Sequence, residues 1–347
     1  MDKTLLIIGD PLDGLNYAGD SSLALAQGGL ESGFRIHWAL PEHIALLNGE
    51  PIVSFLKEVL SVPAGMPPVC GDSQESFPLR LDSYEKILVR KDPPFDDSYT
   101  DLCWILSQCA PRKVINSPES LLKLHEKLAP WRMAKDGIVP DHMLVPTLVS
   151  RDPNHLSSFV DEQFSLAESF LNSQRNLSEF HNFRFRVLAK PWRGHGGRGV
   201  HTFTSRSEFD AWTKTISETR GTRPGLNDLW IVQPLLPEIH THGDRRVFIV
   251  NGKIAFDFVR WPAAGRIEAN LAQGGTATLE PLPEELQSVS LTIARILKNQ
   301  GVLLAGLDFI GSRLTEVNIT SPTGIRTFEN LSGRKIATKL LSDLLKD

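Results

Sequence analysis

The sequence predicts an α/β chain of two or three domains, an open parallel-sheet domain followed by a mixed α+β part. Three observations predict it. At 347 residues the chain exceeds what one compact core usually holds. Over roughly the first third, short apolar runs alternate with helix-periodic stretches, the pattern of a parallel sheet. Further on, apolar runs come in pairs joined by turn residues, the pattern of antiparallel hairpins. The expected division is 1–118, 119–205 and 206–347.

Composition narrows the class. Hydrophobic residues make up 41% and charged residues 22%, which excludes a disordered, collagen-like or coiled-coil chain. A net charge of −4 gives no reason to expect a nucleic acid or an anionic membrane as partner. Cys70, Cys103 and Cys109 fit neither a disulfide framework nor a zinc site, and they favour a reducing compartment. The apolar part of residues 1–9 is too short for a signal peptide, and no run approaches the ~18 apolar residues of a membrane span. The expectation is a cytoplasmic protein.

Taken in order, Leu5-Leu6-Ile7-Ile8 is a short buried strand that enters a loop at Gly9-Asp10-Pro11. Ser21-Ser22 caps the periodic stretch Leu23, Leu25, Ala26, Leu30, a helix that stops at Gly33. Residues 34–40 alternate Phe34, Ile36 and Trp38 with Arg35 and His37, a second strand. Residues 84–90 form another, leading into Arg90-Lys91-Asp92, and Val114-Ile115-Asn116 is a short one. Ligands of a parallel sheet gather beyond the carboxyl ends of its strands, where Asp10 and Arg90-Lys91-Asp92 fall. A helix over 119–128 follows, then a polar helical stretch, of which 160–182 reads as an inserted surface helix or two. Later strands are expected around 185–189, 230–233, 245–250 and 253–259, the last two joined by the primed hairpin turn Asn251-Gly252.

Residues 302–319 say most about chemistry. Residues 303–310 and 314–319 are strand-like, joined by the three-residue turn Gly311-Ser312-Arg313. If that turn sets Ile310 opposite Leu314, then Asp308 faces Glu316 and Gly306 faces Asn318. Asp308, Glu316 and Asn318 then share one face of the hairpin. Facing carboxylates ~5 Å apart at Cβ repel each other, so the pair wants a cation. Two carboxylates with an amide oxygen suit Mg²⁺ rather than zinc. The competing reading is two solvated acids on an exposed hairpin.

A glycine loop supplies the second clue. Gly194, Gly196 and Gly199 match G-x-G-x-x-G, with Gly197 between them, but residues 200–203 are strand-like where a dinucleotide fold requires a helix. A glycine loop between two strands is instead a flap whose amides can close over phosphates, here with Lys190, Arg193 and Arg198 beside it. The alternative is an ordinary flexible hairpin. Arg245 and Arg246 open a later strand, and Arg260 ends the next, before the long glycine-bearing loop 262–275 that suits a lid.

In this order the pieces resemble the ATP-grasp ligases and, within them, the bacterial glutathione synthetase family, over nearly the whole chain. The most specific strings are Arg90-Lys91-Asp92-Pro93-Pro94-Phe95-Asp96 and Thr320-Ser321-Pro322-Thr323-Gly324; Asn116-Ser117-Pro118 and Glu126-Lys127-Leu128 also match. The resemblance implies an ATP-grasp fold behind an N-terminal open parallel-sheet domain, with ATP and Mg²⁺ as cofactors and Mn²⁺ as an alternative. It implies ATP contacts at Lys127, Lys190, Gly194, Gly196, Gly197, Gly199, Gln233, Pro234, Leu235 and Leu236. Arg246 and Arg260 fall on the phosphate side and Asn270 in the lid; the acceptor side takes Asp20, Ser21, Arg90, Asp92, Ser321 and Thr323. The implied Mg²⁺ ligands are Asp308, Glu316 and Asn318, the face derived above.

The implied reaction turns the carboxylate of γ-glutamylcysteine into an acyl phosphate, which the amine of glycine attacks. Family members are commonly homo-oligomers, so small-molecule substrates and a homo-oligomer are expected. Three features depart from the family: Glu268 stands where it carries an arginine, Ala18-Gly19 where it usually has lysine, and residues 160–182 are longer than its equivalent. They leave open a related ligase for another carboxylate or amine, and a nucleotide-binding protein with weak or no turnover.

Overall fold

Five of the six residues of strand Thr4–Gly9 are buried, and the strand runs through the middle of a six-stranded sheet. The computed structural model describes residues 3–72, 78–173, 185–194, 196–218, 229–264, 266–267, 269, 271 and 274–346. Thr4–Gly9 pairs in parallel with Arg35–Ala39 and with Lys86–Arg90, and Val114–Ile115 extends the parallel set. These are the four strands expected from the apolar runs. Lys57–Ser61 and Val69–Asp72 continue the sheet antiparallel. Register sets Gly9 beside Arg90, and just beyond them the Asp92 amide donates to Asp10 Oδ2 at 2.8 Å. A small sheet of Ile44–Leu47, Glu50–Val53 and Leu79–Arg80 lies where no element was expected.

Two helix boundaries correct the expectation. Helix Ser21–Glu31 is capped by Asp20, whose carboxylate accepts from the Leu23 amide at 2.7 Å, and not by the serines. Ser21 is already helical, and its hydroxyl accepts the Gly324 and Ile325 amides at 3.0 and 3.2 Å. The helix expected over 119–128 is two pieces, Pro118–Lys123 and Ala129–Lys135. Leu124 turns extended, and Pro130, suited to a first helical turn, starts the second piece. Glu126 and Lys127 therefore sit in the break.

The chain forms two compact units, Met1–Leu144 with Ile239–Asp347, and Val145–Glu238. These breaks differ from the expected ones after 118 and 205. The reason is local: Asn116 binds the Leu303 and Leu304 amides and the Leu304 and Ile319 carbonyls at 2.6–2.9 Å, which joins the end of the parallel sheet to the C-terminal hairpin.

The larger unit also holds a five-stranded antiparallel sheet in the order Thr276–Thr278, Lys253–Trp261, Asp244–Val250, Leu304–Ile310, Arg313–Asn318. Asn251 (φ 47°) and Gly252 (φ 77°) make the expected primed turn. Leu286, Ile293 and Leu297 of helix Glu284–Asn299 are buried in one cluster with Val247 and Leu307 of this sheet. A Cβ on Gly28 would stand 2.8 Å from the Ala337 backbone, so that glycine admits helix Ala337–Leu344 against Ser21–Glu31.

The smaller unit is a four-stranded antiparallel sheet in the order Leu148–Ser150, Trp230–Pro234, Val187–Pro191, His201–Phe203. Leu156, Val160 and Phe164 of helix Pro153–Ser173 are buried with Val187, Phe203 and Phe209. The front of the expected 160–182 insertion is therefore core, and residues 174–184 lie outside the described residues. Among the described residues no helix is long and apolar enough to cross a membrane.

Candidate active site

The hairpin Leu304–Ile310 and Arg313–Asn318 has Asp308 opposite Glu316 and Gly306 opposite Asn318, as expected. Its turn is different. Ile310 pairs with Arg313, not Leu314, so the turn is the two residues Gly311-Ser312, with Gly311 at φ 59°. A bulge at Thr315 then restores the register, and the Thr315 hydroxyl donates to the Asp308 carbonyl at 3.1 Å. The shorter turn and the extra residue cancel, so all three oxygen-bearing side chains keep one face.

Asp308 is buried, and two arginines from neighbouring strands reach it. Arg246 lies directly opposite on Asp244–Val250 and donates Nε to Oδ1 and Nη2 to Oδ2, at 2.5 and 2.8 Å. Arg260 lies one strand further out, opposite Asp244, and its Nη2 comes within 3.0 Å of Asp308 Oδ1 and 2.6 Å of Asp244 Oδ2. Asn318 donates Nδ2 to Asp308 Oδ2 at 2.9 Å, which pins the amide beside the carboxylate. Burial pushes the Asp308 carboxyl up, but the guanidiniums of Arg246 and Arg260 outweigh it and hold the group far below the usual carboxylate range. Burial instead raises Asp244, with Arg260 opposing and the Asp308 charge adding to the rise.

This donor set fits Mg²⁺. Asp308 is held ionised and Glu316 is its register partner, with the Asn318 amide on the same face; all three offer hard oxygen ligands. The arginines that neutralise Asp308 were expected on the phosphate side; in this structure they engage acids and one carbonyl.

That carbonyl leads to the acceptor residues. Arg246 Nη1 donates to Thr323 O at 2.9 Å. Ser321 donates its hydroxyl to Asp92 Oδ1, and Arg90 donates Nη2 to Pro322 O at 3.0 Å and Nε to Ser22 Oγ at 3.0 Å. Asp20, Ser21, Arg90, Asp92, Ser321 and Thr323 thus gather around one loop at the ends of the parallel strands, joined through Arg246 to Asp308. Arg90 is 3% exposed, and its Nη1 has no partner among the described residues. Burial raises the Asp20 carboxyl, with the Leu23 amide and Arg90 opposing.

Sequence reasoning gave Glu126 no role of its own. Its carboxylate Oε1 accepts the Ile319 amide, the Thr320 amide and the Thr320 hydroxyl at 2.8, 3.0 and 2.8 Å, and its carbonyl accepts the Val317 amide at 3.0 Å. The available signal was its place beside Lys127 in a matched string.

The expected nucleotide residues lie on both units. Lys127 sits in the helix break of the larger one. In the smaller, Lys190 is on Val187–Pro191 opposite Ile231, and the glycine loop joins that strand to its antiparallel partner His201–Phe203. Gly196, Gly197 and Gly199 have φ of 60°, 75° and 71°, a backbone that residues with side chains rarely adopt. Gln233 and Pro234 end strand Trp230–Pro234, where Gln233 Nε2 donates to Thr147 Oγ1 at 2.8 Å and the Leu235 amide to Arg186 O at 2.9 Å. Leu236 is buried. Asn270 and Glu268 lie outside the described residues.

Comparison with known proteins gives the family. Residues 4–121 match the family described as prokaryotic glutathione synthetase, N-terminal domain, and residues 165–333 match prokaryotic glutathione synthetase, ATP-grasp domain. A glutathione synthetase of Bradyrhizobium diazoefficiens is 29% identical over 95% of this chain and 94% of its own. One of Pseudomonas syringae pv. tomato is 31% identical over 100% and 98%. The D-cycloserine synthetase DcsG superimposes with a TM-score of 0.63 at 13% identity, over 99% of this chain and 100% of that one, a likeness of fold. The chain therefore belongs to the prokaryotic glutathione synthetase family of ATP-dependent ATP-grasp ligases, whose cofactors are ATP and Mg²⁺.

Proposed function

We propose that the protein joins γ-glutamylcysteine to glycine using ATP, and so makes glutathione. The observation that carries this reading is Arg246, whose guanidinium holds Asp308 on one side and Thr323 O on the other. It ties the metal face to the acceptor loop. In this reading Asp308, Glu316 and Asn318 hold Mg²⁺, and Arg246 and Arg260 keep Asp308 ionised and aimed. Lys127, Lys190, the glycines 194–199 and residues 233–236 take the nucleotide, and Asn270 belongs to the lid. The acceptor residues take the peptide, with Arg90 Nη1 as a buried donor suited to a carboxylate.

The peptide carboxylate attacks the γ-phosphorus of ATP and ADP leaves, forming an acyl phosphate. The neutral amine of glycine then attacks the acyl carbon, phosphate leaves, and the amine proton is lost to solvent or base. Bound Mg²⁺ supplies charge neutralisation on the phosphoryl oxygens, and Mn²⁺ substitutes for it. An acyl phosphate hydrolyses, so a lid that excludes water belongs to the scheme. By role, 1–118 serves the substrate together with the loop 320–324, 119–205 carries the flap and 206–347 the catalytic hairpin, in a cytoplasmic homo-oligomer.

The test is phosphate release with ATP, Mg²⁺ and γ-glutamylcysteine, with and without glycine; release that depends on glycine supports the reading, and no release above the glycine-free control refutes it. Glu268, where the family carries arginine, favours a second reading with a different amine. A panel of amines in the same assay decides between them.

A further inference from the structure

We propose that Glu126 is a positioning residue that sets the metal face against the Lys127 segment. The proposal rests on the reading of Asp308, Glu316 and Asn318 as Mg²⁺ ligands. Among the described residues Arg313–Asn318 is the edge strand of its sheet, with no neighbouring strand there to pair with its outward amides. Glu126 takes the place of that strand. Its carbonyl accepts from Val317 and its carboxylate from Ile319, alternate amides on the open edge, and the same Oε1 also accepts the Thr320 amide and hydroxyl.

These four hydrogen bonds fall on residues 317–320. The stretch starts directly after Glu316, contains Asn318, and ends directly before Ser321. On the other side Glu126 is bonded in sequence to Lys127. One residue therefore ties the candidate metal and acceptor segments to the Lys127 segment, all three within one compact unit. Among the described residues no cation pairs with Glu126, so its contribution is acceptor geometry and not charge neutralisation.

Reach and charge are separable by substitution. Glu126→Gln keeps the reach and one oxygen acceptor but loses the charge. Glu126→Asp keeps the charge and loses one methylene, so its carboxylate cannot meet all three donors unless the strand end moves. The measurement is ADP binding by calorimetry at graded Mg²⁺, on the full chain. The Mg²⁺ needed for half-maximal binding is expected within about twofold of wild type in Glu126→Gln and about tenfold higher in Glu126→Asp. Leu121→Ala, a buried change in the neighbouring helix, is expected to lower thermal stability and leave that Mg²⁺ requirement unchanged. A Glu126→Asp protein with the wild-type requirement overturns the proposal, as does Glu126→Gln weaker than Glu126→Asp, or Leu121→Ala shifting it equally. The binding assay needs neither γ-glutamylcysteine nor glycine, so failure of the ligase reading appears separately, as absent wild-type turnover.

Discussion

Arg246 grips both oxygens of Asp308 across adjacent antiparallel strands, Nε on Oδ1 and Nη2 on Oδ2. The sequence presents Asp308 as one of two acids that repel. In the fold it is first the counter-ion of two arginines, Arg246 buried and Arg260 partly buried, and that changes what its removal should do.

Asp308→Asn should cost stability as well as turnover. With two facing acids alone, losing one would relieve repulsion. Here the loss leaves Arg246 and Arg260 short of a buried partner, a change of about 3–5 kcal/mol. Urea denaturation checks it; an unfolding midpoint at or above wild type contradicts the pairing.

Glu316→Gln should separate the two effects. Glu316 is half-buried where Asp308 is fully buried, and its charge raises the carboxyl of Glu126. Glu316→Gln keeps the size and shape of the side chain, so stability should fall less than in Asp308→Asn. Turnover at fixed low Mg²⁺ should fall, with about tenfold more Mg²⁺ needed for half-saturation. An unchanged Mg²⁺ curve would remove Glu316 from the metal site.

Asp308 also predicts a pH signature. Its carboxyl is held below the ordinary value of 3.8, so the folded state releases that proton more readily than the unfolded one. The stabilisation is full above that value and is lost as pH falls below it toward the folded value. The stability gap between wild type and Asp308→Asn should therefore be about 1 kcal/mol smaller at pH 3 than at pH 5. A gap that widens on acidification contradicts the assignment.

Leu156→Ala tests whether helix Pro153–Ser173 is core. Leu156 is fully buried with Val187 and Phe209, so truncation should cost about 2–5 kcal/mol. Limited proteolysis should then cut the 145–238 unit first. A surface addition would tolerate the change with no measurable loss.

Parallel strands such as Thr4–Gly9 were legible because continuous apolar runs ended by glycine or proline are a local signal. The hairpin face was legible for a weaker reason: strand alternation has only two outcomes, and the two-residue turn plus the Thr315 bulge preserves the one that the assumed turn implies. The bulge itself leaves no mark in composition. The break at Leu124 is legible in Pro130, a residue suited to a helix start. Asp20 outcompeted Ser21 as cap because the serine hydroxyl is committed to residues 324 and 325, a contact far off in sequence. For the same reason neither the Arg246–Asp308 pairing nor the Glu126 contacts could be read: charges and polar groups show in a sequence, but their partners do not. The small sheet around Ile44–Leu47 escaped because its strands are short and carry exposed apolar residues, Leu46 and Leu47 among them.

The most direct measurement follows isotopically labelled glycine by mass spectrometry alongside phosphate release, with wild type and Glu316→Gln in parallel at low Mg²⁺. One labelled tripeptide per phosphate in the wild type, with both products falling together in the variant, is the expected result. Phosphate without labelled tripeptide, or equal tripeptide from both proteins, would contradict a ligase whose hairpin carboxylates hold the metal.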